Sequence, residues 1–509
     1  MSKPRSHRRM LPLTALAVTL AAASTGLTAC GGGDSGGGSA TGPLKVWVRG
    51  AGDSGKAYGK VFDGFTKQTG IKVELFMTNT DFETKLNAAA AAHKLPDVVI
   101  DDGAQLGTFK NQGIITEVDK SKVSGNAQVS AAAWKSVTDN EGKTYGVPYS
   151  AQANVLLVRT DWLKKVGMQP PKTWDDLEKV AKAFTDQDPD GNGKKDTYGL
   201  IIPKWTGKYA TASPYDVFET WFGAPNGWGL RDGKYVPGFD TPEFLAAERE
   251  LKKWVDEGLV NPDFATLDTG NWMDPFVQGK GGIIIDVDVR ATQLYDLFRE
   301  KNPKDADKVL MVGNLKRADG QKFSSPFTGY NSVLAISKQR VRTEAQLDQL
   351  LQVLDKLEGK EGSILLTNGI EGRNFKLDGN YAVPIGLDDP QVKVVQNDVS
   401  NAFIQLGTRY SVNGGYYPLK PADDAKRKLI EQRKPMEDED LKTAVHNPAL
   451  SVIAPTAIAQ GPTLDKIIPD ARVKYLSGEL DDNGLKAEIQ RWYDGGGTKI
   501  TQEINDLLK

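Results

Sequence analysis

The chain has 509 residues, of which 39% are hydrophobic, and its 64 basic and 66 acidic side chains give a formal net charge of −2. Nucleic acid is not an expected partner, because basic residues alternate with acidic ones along the chain, whereas phosphate binding needs them clustered on one face. The presence of only three histidines disfavours zinc sites and histidine-based triads, but a hydrolase that uses a pair of carboxylates stays open.

Residues 1–29 are predicted to be a secretory signal peptide. Four basic residues precede an apolar run from Leu11 to Ala23, and a run of this length is well short of the roughly 20 residues that span a bilayer. The next segment, Leu27-Thr28-Ala29-Cys30, resembles the bacterial lipobox. That resemblance implies cleavage before Cys30 followed by lipidation and acylation there. A plain secretory signal with an incidental cysteine is the alternative.

Residues 30–42 are predicted to be a flexible tether between the lipid and the folded part. The segment is almost entirely glycine, serine and other small residues, so it has little side chain to bury. Cys30 is the only cysteine of the chain, and it therefore forms no internal disulfide. We expect a lipid-anchored protein at the extracellular face of the cell membrane.

The remainder of the chain alternates between strand and helix patterns. Short apolar runs predict strands at 44–48, 72–76 and 97–100, and helical patterns separate them at 58–68 and 81–92. A capping box of Thr80 and Glu83 marks the start of the second helix. This alternation predicts an α/β fold with mostly parallel sheet covered by helices on both faces.

Two further extended runs predict crossings between two lobes. The first lies at 154–159, with the crossover placed near Gln152, and the second lies at 329–336. The mature chain is long enough for two cores. The predicted organisation is lobe 1 at 43–152 and about 330–400, lobe 2 at 153–329 and about 401–480, and C-terminal helices at 481–509.

Several short motifs resemble, in order, those of extracellular solute-binding proteins for sugars and oligosaccharides, a maltose-binding-like group. They cover nearly all of the mature chain and include Pro96-Asp97-Val98-Val99, Tyr145-Gly146-Val147-Pro148, Thr173-Trp174-Asp175-Asp176-Leu177 and Gly223-Ala224-Pro225-Asn226-Gly227-Trp228. The resemblance implies a type 2 periplasmic-binding-protein fold, with two α/β lobes, a multi-strand hinge and a cleft.

The resemblance also implies a function. The protein would be a monomer, not an enzyme, that captures a sugar or oligosaccharide for the membrane permease subunits of an ATP-binding-cassette (ABC) importer. A lipid-anchored extracellular carbohydrate-active enzyme is the alternative, and a purely structural or signalling lipoprotein is a third.

A sugar ligand predicts carboxylates, amides and arginine for the hydroxyl groups and aromatic rings for the C–H faces. Such side chains on loops after strands would meet at the cleft. Each charged candidate has a solvated cap or salt bridge as its alternative, and each aromatic one a place in the core. The predicted ligand-binding residues are Arg49, Asp53, Asp102, Tyr149, Gln152, Trp205, Trp228, Asp286, Asp288, Arg290, Tyr330, Arg373, Tyr416 and Tyr417.

The segment from Asp188 to Asp196 has the spacing of a calcium-binding loop. Gly193 stands at the turn, but Gly199 replaces the glutamate expected at position 12. A competing register starts at Asp186, and an acidic turn without metal is the alternative. The loop predicts a structural Ca²⁺ and no catalytic cofactor, with ligands from Asp188, Asp190, Asn192, Asp196 and the carbonyl of Lys194.

Overall fold

The protein is described from a computed structural model. It divides into two compact units, Met1–Thr41 and Gly42–Lys509, and all described residues belong to the second. The described residues are 42–49, 63, 66–67, 70, 72–78, 82–101, 105–123, 131–139, 141–149, 153–205, 209–210, 213–317, 319–325, 332–390, 416–449, 452 and 454–508. The signal peptide, Cys30, nearly all of the tether and the predicted cap at Thr80 lie outside them.

The strands are β1 Leu44–Arg49, β2 Val73–Thr78, β3 Val98–Asp101, β4 Val147–Tyr149, β5 Asn154–Arg159, β6 Tyr198–Ile201, β7 Trp228–Arg231, β8 Lys234–Pro237, β9 Gly281–Val287, β10 Val309–Val312, β11 Ser332–Ile336, β12 Phe375–Asp378 and β13 Tyr381–Pro384. The α-helices are α1 Phe82–Ala91, α2 Leu106–Asn111, α3 Ala131–Ser136, α4 Thr160–Lys165, α5 Trp174–Asp186, α6 Pro214–Trp221, α7 Pro242–Asp256, α8 Asp274–Gln278, α9 Arg290–Lys301, α10 Glu344–Glu358, α11 Lys360–Asn368, α12 Asp424–Thr443, α13 Pro455–Leu464, α14 Ile467–Leu476, α15 Asp482–Trp492 and α16 Thr498–Leu507.

The first sheet has five strands in the order β2-β1-β3-β11-β4. Strands β2, β1 and β3 are parallel, whereas β11 runs antiparallel to both β3 and β4. The parallel arrangement predicted from the runs at 44–48, 72–76 and 97–100 is therefore confirmed, and β11 alone runs against the other four strands of this sheet. Strand β11 enters at the same edge where β4 leaves, and this entry fixes its opposite direction.

The second sheet has four strands in the order β10-β5-β9-β6. Strand β5 is antiparallel to β9 and β10, and β6 is parallel to β9. Consequently β6, β9 and β10 all end at the edge where β5 begins. Side chains that follow these three strands are thereby brought to one edge.

The connection from the first sheet to the second is very short. Tyr149 ends β4 and Asn154 begins β5, and five residues of extended chain reach at most about 17 Å. The return connection runs from Ser325 to the start of β11 at Ser332. The carboxyl-terminal edge of β4 must therefore lie beside the edge of the second sheet where β5 begins.

Helix α5 illustrates how local sequence sets an element and its packing. Thr173 caps its start, since its hydroxyl accepts from the Asp176 amide at 3.2 Å and the Asp176 carboxylate accepts from the Thr173 amide at 3.1 Å. The helix packs Phe184 onto Gly282 of β9, where a Cβ would come within 2.2 Å of the Phe184 ring. Only glycine permits this close approach between helix and strand.

Each sheet is the centre of a hydrophobic core. In the first, Val46, Val98 and Leu334 pack with leucines of α10 and α11. In the second, Leu156 and Ile283 pack with residues from α4 to α7 and from α13 to α16. The C-terminal helices thus form part of the core of the second sheet. No helix in the described ranges is long and apolar enough to cross a membrane.

A buried arginine joins three helices beside the second sheet. Arg472 of α14 is only 3% exposed, and its Nε lies 2.9 Å from Glu248 of α7. It also pairs with Glu219 and lies 3.6 Å from Asp216, both in α6, while its guanidinium stacks 5.0 Å from the ring of Tyr215. Burial by itself would lower the pKa of Arg472, but the three carboxylates raise it. Burial raises the pKa of Glu219 well above its usual range.

Candidate functional site

The shared strand edge beside the crossovers is the candidate functional site. On the second sheet it carries Asp286 and Asp288 at the end of β9, with Arg290 at the start of α9, and Trp205 four residues beyond β6. On the first sheet, β1 ends at Arg49 and β4 ends at Tyr149 at the corresponding edge, although their side chains are not described. Four predicted residues lie outside the described residues: Asp53, Asp102, Gln152 and Tyr330.

Asp286 and Arg290 form an ion pair at this edge. The Arg290 Nε lies 2.5 Å from Asp286 Oδ2, and its NH1 donates to Gln293 at 2.6 Å. Burial raises the pKa of Asp286, and Arg290 opposes that rise. Because the guanidinium has five N–H groups, Arg290 keeps donors that are not used in these two contacts.

Asp288 is fully buried and is held by neighbouring elements. Its amide donates to the carbonyl of Ala153 at 2.9 Å, and its carboxylate lies 3.1 Å from Arg433 Nε of α12. A sugar hydroxyl would not reach this carboxylate in the structure as it stands. The residue instead links the end of β9 to the first crossover.

Helix α12 supplies candidate residues near this edge that the sequence analysis missed. Arg433, Glu437 and Asp440 lie at i, i+4 and i+7 on one helix face and approach Asp288. Burial, then repulsion from Asp288, raises the pKa of Glu437 to about 7. Burial likewise raises the pKa of Asp440 to about 7, against hydrogen bonds that include one from Asn314. Their spacing on one helix face could have indicated these residues in the sequence. However, α12 carries many other charged residues, so the spacing does not single them out.

The two predicted tryptophans differ in setting. Trp205 is partly buried, with its ring 6.5 Å from that of Trp272 and nearly perpendicular to it. Trp228 was predicted in a glycine-rich turn, but it is the first residue of β7, pairs with Pro237 and packs against the core. A third tryptophan, Trp221 of α6, is buried and donates to Asn314 at 2.7 Å.

Three predicted residues from the second half of the chain come together near the end of α11. Asn368 Nδ2 donates to the carbonyls of Tyr417 at 3.0 Å and Tyr416 at 3.4 Å. Arg373 lies in the turn between α11 and the β12–β13 hairpin, and that hairpin pairs with the segment following Tyr417 through Ala382. The Tyr416 side chain is 43% exposed and free to meet a ligand face.

The acidic loop lies at the opposite end of the second sheet, since it precedes the start of β6. Asp188 oxygens accept from the amides of Asn192 and Gly193, each at 3.0 Å. The Asn192 side chain donates to Asp190 at 2.7 Å and to Asp196 at 3.0 Å. The carboxylates of three acids therefore surround Asn192, Asp188 at its backbone amide and Asp190 and Asp196 at its side-chain amide.

The pKa values of two acids in the loop, Asp190 and Asp196, are shifted in opposite directions. Burial and the nearby Asp188 raise the pKa of Asp190, whereas Lys280, whose amine lies 2.7 Å from Asp196, lowers the pKa of that residue. Lys194 contributes its amide, which donates to Asn192 at 2.8 Å. Across the described ranges, no group of three acidic, histidine or cysteine side chains stands ready as a metal cluster.

Two mixed sheets joined by short crossovers, with polar and aromatic side chains along the shared edge, define a two-lobed binding protein of the type 2 periplasmic-binding-protein fold. The family model described as bacterial extracellular solute-binding protein matches residues 51–345. The chain belongs to this family.

Similar proteins extend over most of the chain. Lipoprotein LipO of Bacillus subtilis (strain 168) is 35% identical over 451 residues, 87% of this chain and 87% of that protein. The polygalacturonan/rhamnogalacturonan-binding protein YtcQ of the same organism is 31% identical over 465 residues, 87% of this chain and 88% of that protein.

A solved structure shows the same fold. It is the ABC-transporter substrate-binding protein FusA of S. pneumoniae, an EF-hand mutant in complex with fructo-nystose. At 17% identity it gives a TM-score of 0.59 and covers 92% of this chain and 99% of that chain.

Proposed function

We propose that this protein captures a sugar or oligosaccharide outside the cell and presents it to the permease subunits of an ABC importer. The observation that carries the proposal is the shared strand edge, where both sheets direct the ends of several strands toward two short crossovers. Polar groups beside aromatic rings suit the hydroxyls and C–H faces of a sugar. The family membership and the polysaccharide named for YtcQ support this class of ligand.

The proposed mechanism is closure of two lobes on the ligand. Lobe 1 consists of residues 43–152 and about 330–400, and lobe 2 of 153–329 and about 401–480, with 481–509 completing the second core. A ligand that contacts both lobes only in the closed form shifts the equilibrium toward that form, which the importer can then recognise. The proposed contacts at the second sheet are Arg290 and Trp205, and those beside the β12–β13 hairpin are Arg373, Tyr416 and Tyr417.

A sugar that binds should compact the protein and raise its melting temperature. A thermal-shift screen of mono- and oligosaccharides identifies the binder, and X-ray scattering then compares the radius of gyration with and without it. Arg290→Gln should weaken binding, because it removes charged donors at the cleft edge while retaining a polar side chain. The exposed Arg249→Gln variant, on a helix away from this edge, serves as the matched control.

An unchanged radius of gyration at saturation would contradict closure. The carbohydrate-active enzyme is distinguished in the same experiment by mass spectrometry of the sugar, which a binding protein returns unchanged and a hydrolase cleaves.

We further propose that the acidic loop binds a structural Ca²⁺. The grouping of the Asp188, Asp190 and Asp196 carboxylates around Asn192 supports this, because oxygen ligands arranged in one loop are what Ca²⁺ prefers. The EF-hand named in the FusA structure agrees with this donor set. Bound Ca²⁺ would neutralise the mutual repulsion of the three carboxylates, and the position before β6 places it away from the cleft edge.

Calcium at about 100 times its dissociation constant should raise the free energy of unfolding by about 2.7 kcal/mol. Asp190→Ala should abolish this gain, whereas Asp186→Ala should keep it, since Asp186 is a ligand only in the competing register. Calorimetry of the three proteins with calcium and with chelator measures the effect. A wild-type melting temperature that does not respond to chelator would identify the loop as an acidic turn.

A further inference from the structure

Hydrogen bonds hold the two connections between the sheets to helix α12 and to each other. The Ser324 amide donates to the Thr443 carbonyl at 3.0 Å, and the Ser324 hydroxyl donates to the Asp440 carbonyl at 2.6 Å, so the end of α12 holds the segment that leads into β11. Asn154, at the start of β5, donates through Nδ2 to the Ser325 carbonyl at 2.6 Å. The first and second connections are thereby bonded to each other beside α12.

Three buried acids, Asp288, Glu437 and Asp440, lie at the junction where α12 meets the two connections. Asp288 is fully buried, Asp440 is 6% exposed, and the Glu437 side chain is 13% exposed. One oxygen of Asp288 and one of Asp440 are buried without a hydrogen-bond partner. The Asp440 carboxylate also accepts from the side chain of Asn314, which follows β10. Four elements, β5, β9, α12 and the segment after β10, therefore meet at these three acids.

The positive charge near the three acids is too small to neutralise them. Arg433 lies 3.1 Å from Asp288 and 3.8 Å from Glu437. Lys434 is paired with Asp438 and Lys322 lies 3.8 Å from Glu439, so both of these lysines are also engaged with other acids. Asp286, on the strand of Asp288, is already paired with Arg290. Three buried carboxylates facing one guanidinium cannot all be ionised at low cost.

We propose that Asp288, Glu437 and Asp440 form a proton-controlled clamp on the hinge, which fixes both connections to α12 when protons are bound and loosens them when the protons leave. A carboxylic acid that keeps its proton donates a hydrogen bond to a neighbouring carboxylate, which would satisfy the orphaned oxygens. Without that proton, the two neighbouring carboxylates repel each other. The clamp would make lobe closure respond to the pH outside the cell.

The direction of the pH effect follows from the shifts. The pKa of Glu437 and that of Asp440 are raised to about 7 in the folded protein, above their ordinary values. The folded state therefore holds more protons than the unfolded state between the ordinary pKa values and about 7. The stability that these two acids contribute is therefore fully present at acid pH and is lost as the pH rises through this window.

The test reads the junction in the absence of sugar, so a failure to bind sugar cannot be confused with a failure of the clamp. Hydrogen exchange is measured on the full mature protein at roughly pH 5.5 and roughly pH 8.5, with correction for intrinsic exchange, which brackets both shifted pKa values. We expect protection in peptides covering 153–159 and 319–325 to fall by about tenfold or more at the higher pH. Peptides of α10, which packs on the first sheet, should not change.

The variant Glu437→Gln/Asp440→Asn mimics the protonated groups and should keep its protection at both pH values. Glu431→Gln, an exposed acid on the same helix, should respond to pH like the wild type. Equal wild-type protection at both pH values would overturn the proposal, and this result does not depend on any variant folding. A double variant that keeps the full pH response would also overturn it. Only the expected effect of pH on ligand affinity rests on the proposed closing function.

Discussion

Replacing Arg472 with methionine should lower the free energy of unfolding by about 3–5 kcal/mol, measured by denaturant titration. The side chain is one of the few groups that balance Glu219, Glu248 and Asp216 in the interior. Methionine keeps much of the volume but leaves these acids without their cation, and α14 loses its bond to α6 and α7. The loss of stability comes from buried carboxylates left without a cation rather than from a cavity.

Two comparisons separate this cause from packing. Arg249→Met removes an arginine of α7 that pairs with Asp482 at the surface, where such pairs contribute about 1 kcal/mol or less. Adding Glu219→Gln to Arg472→Met should recover part of the loss. The single variant should also become less stable as the pH rises, because burial raises the pKa of Glu219, which therefore binds a proton mainly in the folded state. A variant within 1 kcal/mol of wild type would show that the cluster adds little.

Replacing Cys30 with serine should move nearly all of the mature protein from the membrane fraction to the medium. Thioether lipidation needs the cysteine thiol, and no other cysteine exists in the chain to substitute for it. The described helices offer no second means of crossing a membrane. Cell fractionation and immunoblotting measure the distribution.

Ser39→Ala, in the tether, is the matched control and should stay with the membrane. Membrane retention of Cys30→Ser would contradict the lipid anchor, and a wild-type protein found in the medium would identify a plain secretory signal.

The elements with the strongest local patterns were predicted closely from the sequence. Runs at 44–48 and 72–76 correspond to β1 and β2, and the run at 154–159 is β5 itself. Their signal is a short apolar run between polar turns, which depends on neighbouring residues alone. The antiparallel direction of β11 was not predicted, because the direction of this strand depends on where the chain re-enters the first sheet after visiting the second one.

The site was predicted in part for a similar reason. The rule that ligand groups follow strands led to Asp286, Asp288 and Arg290, and the sheet topology brings all three to one edge. It did not indicate that Asp288 would be buried. Glu437 and Asp440 were missed because α12 has the composition of a solvated helix, and only its packing against α9, β10 and Asp288 distinguishes its buried acids from its exposed ones. The ligand roles of these residues remain predictions.

If the predicted signal peptide directs export from the N-terminus, the packing of the last helix, α16, sets an order of folding events. Ile500 and Ile504 of α16 belong to the same core as Leu156 and Val158 of β5, more than 300 residues earlier. Contacts so distant in sequence close slowly. The apolar surface that α16 covers would therefore stay exposed until the final residues of an exported chain have left the cell. A chain that stopped short of them would emerge with one lobe finished and the other still exposed to aggregation and proteolysis.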